Sequence, residues 1–250
     1  MQPQIIVPDF KGRHNSDIQG TVKRLDKAQS YEDQSTVIIC PTRGLIPAKV
    51  VGSWIGMLRP MNQRVMGPMF AMSMEVGEAY NQMIEIILGH PELSKYKYVF
   101  SVEEDNTIPP DALLKLYEAI EGKVNGKKYD VVGGLYFTKG EMGQPMIFGN
   151  PMSMPRDFVP QKPVPDQIVE ANGLGMGCNL FRLSMFKKIE KPWFKSQQEV
   201  VPGQGTRCCS QDLYFYNKAG LAGFRFACAC NVKVGHYDFE GKFGPPDMIW

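Results

Sequence analysis

Only three histidines and six cysteines occur in 250 residues, and both scarcities narrow where chemistry can lie. The cysteines, Cys40, Cys178, Cys208, Cys209, Cys228 and Cys230, are too sparse for a disulfide scaffold, and two are adjacent, so free thiols in a reducing, cytoplasmic setting are expected. A CC pair followed by CxC is not a structural zinc spacing. An excess of one charge is also missing. Twenty-eight Lys and Arg face 26 Asp and Glu, a net charge of +2, which provides no field to recruit nucleic acid or an anionic membrane. No window approaches the roughly 18 uninterrupted apolar residues of a spanning helix, and MQPQIIVPDFKGRHNSD lacks the basic start and apolar stretch of a signal peptide. Neither secretion nor membrane insertion is expected. Gly (25), Pro (19) and Met (15) are plentiful; with 43% apolar residues, the composition is that of one sizeable, turn-rich globular domain acting through a local site.

Residues 1–35 are polar, mixed in charge and without periodicity, and read as an arm. Strand and helix signals then alternate, which predicts a parallel sheet covered by helices. Thr36–Cys40 is a β-branched apolar run stopped by Pro41, a buried strand. A helix follows Pro47 through Leu58. Arg64–Ala71 is a strand interrupted by Gly67 and Pro68, hence an edge or a bulge. Val76, Ala79, Tyr80, Met83, Ile86 and Ile87 recur at helical spacing up to Gly89. Tyr98–Val102 is a strand, Pro109 and Pro110 open a helix carrying Leu113, Leu116 and Ile120, and Asp130–Tyr136 is a further strand. Residues 138–170 are irregular and rich in Pro, Gly and Met, and are expected to be mobile. Beyond them lie a strand and turn at Gly173–Phe181, a short helix near Ser184–Ile189, a loop to Thr206, a helix from Gln211 to Ala222, and two strands, Phe224–Ala227 and Val232–Gly235.

The residues richest in chemistry are Glu103, Glu104 and Asp105, directly after a strand. Ligand sites of parallel α/β sheets lie beyond the carboxyl ends of the strands. If the extended chain continues, Glu103 and Asp105 leave on one face and would converge on a cation; hard oxygen donors suit Mg or Mn. The same triplet also reads as a solvated turn before a helix N-terminus.

Four ordered segments resemble the family 2 type nucleotide-sugar glycosyltransferases with a GT-A fold. FSVEEDNTIPPDALLKL resembles their strand, Asp-x-Asp metal motif and helix, with Glu103 in the first acidic place and Asp105 in the second. VIICPTRG resembles their first strand and nucleotide loop, NGLGMGCNLFRLSMFKKI their segment on the acceptor and sugar side, and SQDLYFYNKAGLAGFRF the segment bearing the general base.

The resemblance implies an α/β, Rossmann-like GT-A fold, a mostly parallel sheet with helices on both faces, divided into a nucleotide-binding half at 36–137 and an acceptor half at 138–250. It implies a UDP- or GDP-sugar donor held by Pro41, Thr42, Arg43, Glu103 and Glu104, and a glycan or other hydroxyl acceptor. A divalent cation, Mn or Mg, would sit on Glu103, Asp105 and His236. Asp212 would be the base of an inverting transfer, although an Asp at a helix start also serves as a cap. The alternating glycines around Gly175, Met176 and Gly177 would leave one strand face open to a sugar, and the loop at 138–166 would close over the donor. A sugar-nucleotide nucleotidyltransferase and a non-catalytic sugar-binding protein are the alternatives.

Overall fold

The computed structural model describes residues 32–238 apart from 62, 141 and 202–204, together with residues 20 and 23; of residues 199–201 and 205–208 it describes the backbone alone. The proposed arm up to residue 31 lies outside the described residues except at those two points. Residues 34 and 35 are not arm. Both are buried, and Ser35 O accepts from the backbone N–H groups of Lys97 and Tyr98.

In chain order the strands are β1 (Thr36–Thr42), β2 (Val65–Met72), β3 (Tyr98–Val102), β4 (Asn106–Thr107), β5 (Val131–Leu135), β6 (Ile147–Phe148), β7 (Ile168–Ala171), β8 (Gly173–Leu174), β9 (Cys178–Arg182), β10 (Gln197–Val201), β11 (Gly205–Cys209), β12 (Phe226–Lys233) and β13 (Gly235–His236). The helices are α1 (Ala48–Ile55), α2 (Val76–Gly89), α3 (Ala112–Ile120), α4 (Leu183–Phe186) and α5 (Gln211–Leu221). Seven strands form one sheet in the order β2-β1-β3-β9-β5-β12-β7. Strands β2, β1, β3, β5 and β12 run one way, and β9 and β7 the other. The result is the α/β, Rossmann-like, mostly parallel GT-A arrangement that the sequence implies.

Alternation along the buried strands supplies both faces of this sheet. Val37 and Ile39 of β1 join one core with α2 and α5, through Tyr80, Met83, Phe215 and Tyr216. Ile38 and Cys40 join the other with α1 and α3, through Trp54, Leu113 and Leu116. Helix α3 is buried along its whole length, Lys115 and Glu118 included. Lys115 survives there by pairing with Asp111 at 2.9 Å and donating to Asn231 O, since a buried charge must be matched. Among the described residues, no helix is long and apolar enough to cross a membrane.

Strand β2 is the predicted edge. Val37 pairs with Met66 and Ile39 with Met69, so Gly67 and Pro68 together oppose Ile38, a bulge. A Cβ at Gly67 (φ +106) would lie 2.5 Å from Ile38 O, so only glycine fits. Three expectations change. The strands predicted around residues 224–235 include one continuous run, β12, with Cys228 and Cys230 buried in it as free thiols. The loop leading to Thr206 contains an antiparallel hairpin, β10 with β11. The stretch at 138–170 is braced rather than open: Gly149 N bonds Val159 O, Gln161 N bonds Ile147 O, and Asn172 Nδ2 donates to Asn150 O and Asp157 O. Arg156 clamps it further, donating to Asn172 O and Tyr216 O while lying over the Phe226 ring. The irregular stretch is therefore tied into the sheet region at several points rather than left open.

Candidate functional site

Because β1, β3, β5 and β12 are codirectional, their carboxyl ends deliver Thr42 and Arg43, the acidic triplet, residues 136–139 and His236 to one end of the sheet. Antiparallel β9 enters from that same end and brings residues 175–177. Asp212, in the first turn of α5, completes the group.

The triplet does not continue as a strand. Asn106 N bonds Glu103 O at 3.1 Å, which closes a turn and sends the three carboxylates in three directions. Glu104 goes back to β1: it accepts from Thr42 Oγ1 (2.7 Å), Arg43 N (2.8 Å) and Arg43 Nε (2.5 Å). Glu104 is therefore a brace between the β1 loop and the β3 turn, and Arg43, expected on a phosphate, is tethered to it with its side chain three-quarters exposed. Pro41 and Thr42 belong to β1 itself and are buried. Glu103 is half-buried and accepts from the Tyr80 hydroxyl at 3.2 Å.

Asp105 is the carboxylate that meets His236. Strand β13 pairs with β4, and Tyr237 N donates to Asp105 O at 2.6 Å, which fixes the two segments side by side. His236 Nε2 lies 3.5 Å from Asp105 Oδ2, while Nδ1 bonds Phe137 O at 2.7 Å and sets the ring orientation. The same Oδ2 receives Lys139 Nζ at 2.6 Å. Burial opposes ionisation of Asp105, but His236 and Lys139 overcome it and hold the carboxyl down at about 2.

The predicted metal trio is thus divided. Asp105 and His236 meet, Glu103 turns to Tyr80, and an ammonium occupies the oxygen an ion would share. Among the described residues no three His, Cys, Asp or Glu side chains gather into a metal-holding group. As arranged, these donors do not fit a divalent cation.

Burial first, then the charges of Asp105 and Asp212, push the Glu103 carboxyl up to about 8. The folded protein consequently keeps a proton that the unfolded chain releases, so stability falls as pH rises from about 4.5 to about 8. Glu103→Gln is expected to stabilise the metal-free protein by about 2 kcal/mol at pH 8.5, after allowance for solvent screening, and to give little gain at pH 5. Thermal midpoints at the two pH values check this; no pH-dependent gain would mean that Glu103 is not held protonated.

Residues 175–177 form the buried floor. A Cβ on Gly175 would fall 2.1 Å from the Tyr136 hydroxyl, and one on Gly177 2.2 Å from Asn106 Oδ1. The face expected to admit a sugar is filled by the protein's own side chains. Met176 is buried, and its carbonyl accepts from Ser101 Oγ. Tyr80 and Tyr136, which the sequence places in a helix and a strand without a part in the site, lie beneath the acids; burial and the Glu103 charge raise both phenols well above their ordinary value. Asp212 is nine-tenths buried, its carboxyl raised by that burial, and Oδ1 accepts from Leu213 N at 2.8 Å. It is the second residue of α5, whose N-cap is Ser210, so the expected cap is replaced by a bond within the first turn, and within the same site Asp212 exerts its charge on Glu103 and Tyr136.

No family model and no curated protein matches the chain. Among solved structures it is similar to A197 from STIV, with 18% identity over 82% of this chain and 86% of that one, at a TM-score of 0.55. The likeness is one of fold. A CMP:2-keto-3-deoxy-manno-octonic acid synthetase complexed with CTP aligns over 78% of this chain and 88% of its own at 11% identity, and at a TM-score of 0.37 lends no weight to any functional reading.

Proposed function

We propose that the protein is a glycosyltransferase that moves a sugar from a nucleotide-sugar donor to an acceptor hydroxyl with inversion. One observation carries the reading: Asp105, His236, Lys139, Glu103 and Asp212, from four well-separated segments, gather at the carboxyl end of a GT-A sheet. Such a gathering has no role in packing. A donor diphosphate is anionic and requires positive charge at its leaving oxygen, while an acceptor hydroxyl requires a base; this site supplies both kinds of group. Asp212 takes the acceptor proton, its carboxyl made more basic by burial. The Glu104 brace holds Thr42 and Arg43 beside the acidic turn, where the nucleotide would lie.

The direct test is a screen of UDP- and GDP-sugars for release of the nucleoside diphosphate, with and without added Mn. The reading predicts turnover of at least one donor in the presence of a suitable hydroxyl acceptor. Failure of every donor to bind by calorimetry would sink it.

A further inference from the structure

Lys139 lies on the hairpin that follows β5. Thr138 N bonds Gln144 O, Gln144 N bonds Thr138 Oγ1, and Met146 N bonds Tyr136 O, so the lysine is presented from a braced turn rather than a loose loop. Its side chain is only 23% exposed, and it reaches across to an Asp105 side chain that is 20% exposed. Holding a long side chain in one place costs rotamer entropy, which a short contact with a largely buried carboxylate offsets far better than one in open solvent.

The contact competes with a metal ion for this oxygen of Asp105. A divalent ion such as Mg takes a carboxylate oxygen at about 2.1 Å, and an ammonium already bonded to that oxygen would stand within van der Waals distance of it, with like charge. His236, whose Nδ1 bonds Phe137 O, stands 3.5 Å from the same oxygen through Nε2 and crowds it further. An ammonium has three N–H donors, and the bond to Asp105 Oδ2 engages one.

We infer that Lys139 is the resident cation of this site: its ammonium neutralises Asp105 and contacts the diphosphate of the donor directly, so nucleotide binding does not wait on a divalent ion. The inference rests on the nucleotide reading above. It assigns the positive charge to the hairpin after β5, and makes Asp105 the residue that positions that charge.

Calorimetry with UDP and GDP, on the full chain in excess EDTA, tests it. The wild type is expected to bind one of the two without metal, Lys139→Met to weaken that binding by about tenfold or more, and Lys139→Arg to keep most of it. In a second titration, of nucleotide-free protein with Mn, Lys139→Met is expected to bind the ion about tenfold more tightly than wild type, because Asp105 is released. Nucleotide binding that needs Mn and is indifferent to Lys139→Met would overturn the inference and leave the nucleotide reading intact. Equal Mn affinity in the two proteins would also overturn it. Failure of both nucleotides with and without Mn would remove the nucleotide reading together with the inference.

Discussion

Asp212→Asn is expected to lower kcat by about 10²- to 10⁴-fold, the range of a lost general base, while donor KM changes little. The substitution is nearly isosteric. The amide oxygen still accepts the Leu213 N–H bond that Oδ1 now receives, so the first turn of α5 stays formed. What disappears is the capacity to accept a proton. Burial raises this carboxyl in the folded protein, so in the wild type the base ionises only above the ordinary aspartate range, and kcat should fall on the acid side of the pH profile. That limb should be absent in the Asn variant. Asp212→Ala separates the two roles: it should lose the same turnover and in addition about 1 kcal/mol of stability, the usual net worth of a hydrogen bond such as the one Leu213 N would lose. Full turnover in Asp212→Asn would leave this residue only its bond within the first turn of α5.

The second large effect is on stability. Phe215→Ala is expected to cost about 3–5 kcal/mol, the range for a fully buried aromatic truncated to alanine. Phe215 is completely buried at the centre of an aromatic cluster: it stacks on Phe194 at 4.6 Å and on Phe186 at 5.7 Å, and meets Phe181 and Tyr216 edge-on. Those rings come from β9, α4, α5 and the segment that follows α4, so no single element can collapse to fill the space. Domains are stable by about 5–15 kcal/mol, so the loss is a large share of the total. Urea unfolding should show a lower midpoint at an unchanged slope, and a loss below about 1 kcal/mol would contradict the packing described. Phe215 also lies one turn beyond Asp212, so the cluster that stabilises the fold also sets where the carboxylate stands.

Much of the fold was legible because its strands are buried on both faces and read as apolar runs: β1, β3 and β5 begin within one residue of where the sequence places them. Helix α2 was legible in extent, though Ile84 rather than the more exposed Ile86 faces the core. The β10–β11 hairpin was not, since Gln197–Val201 begins with three polar residues and shows no apolar alternation. At the site, proximity in space was readable and direction was not. The resemblance puts Asp105 near His236, but whether Glu103 and Asp105 share a face depends on the backbone after Val102, and the turn closed by Asn106 N and Glu103 O defeats the extended-chain argument. Lys139 was missed for another reason: its partner is 34 residues away. The rule that drew attention to Glu103, namely a polar residue just past the carboxyl end of a buried strand, applies equally to the residues following β5.

The position of β9 bears on how the chain can be divided. This strand comes from the second half of the sequence, yet it lies between β3 and β5 of the first, hydrogen-bonded to both. Neighbouring strands are about 4.8 Å apart, so without β9 the first half would hold a slot nearly 10 Å wide through the middle of its sheet. The nucleotide-binding and acceptor halves are consequently labels for stretches of sequence and not for bodies that can hinge. A hinge between the two stretches would have to tear β9 from β3 or from β5, so on the proposed function a change in the width of the site falls to the loops at its rim rather than to a movement of halves.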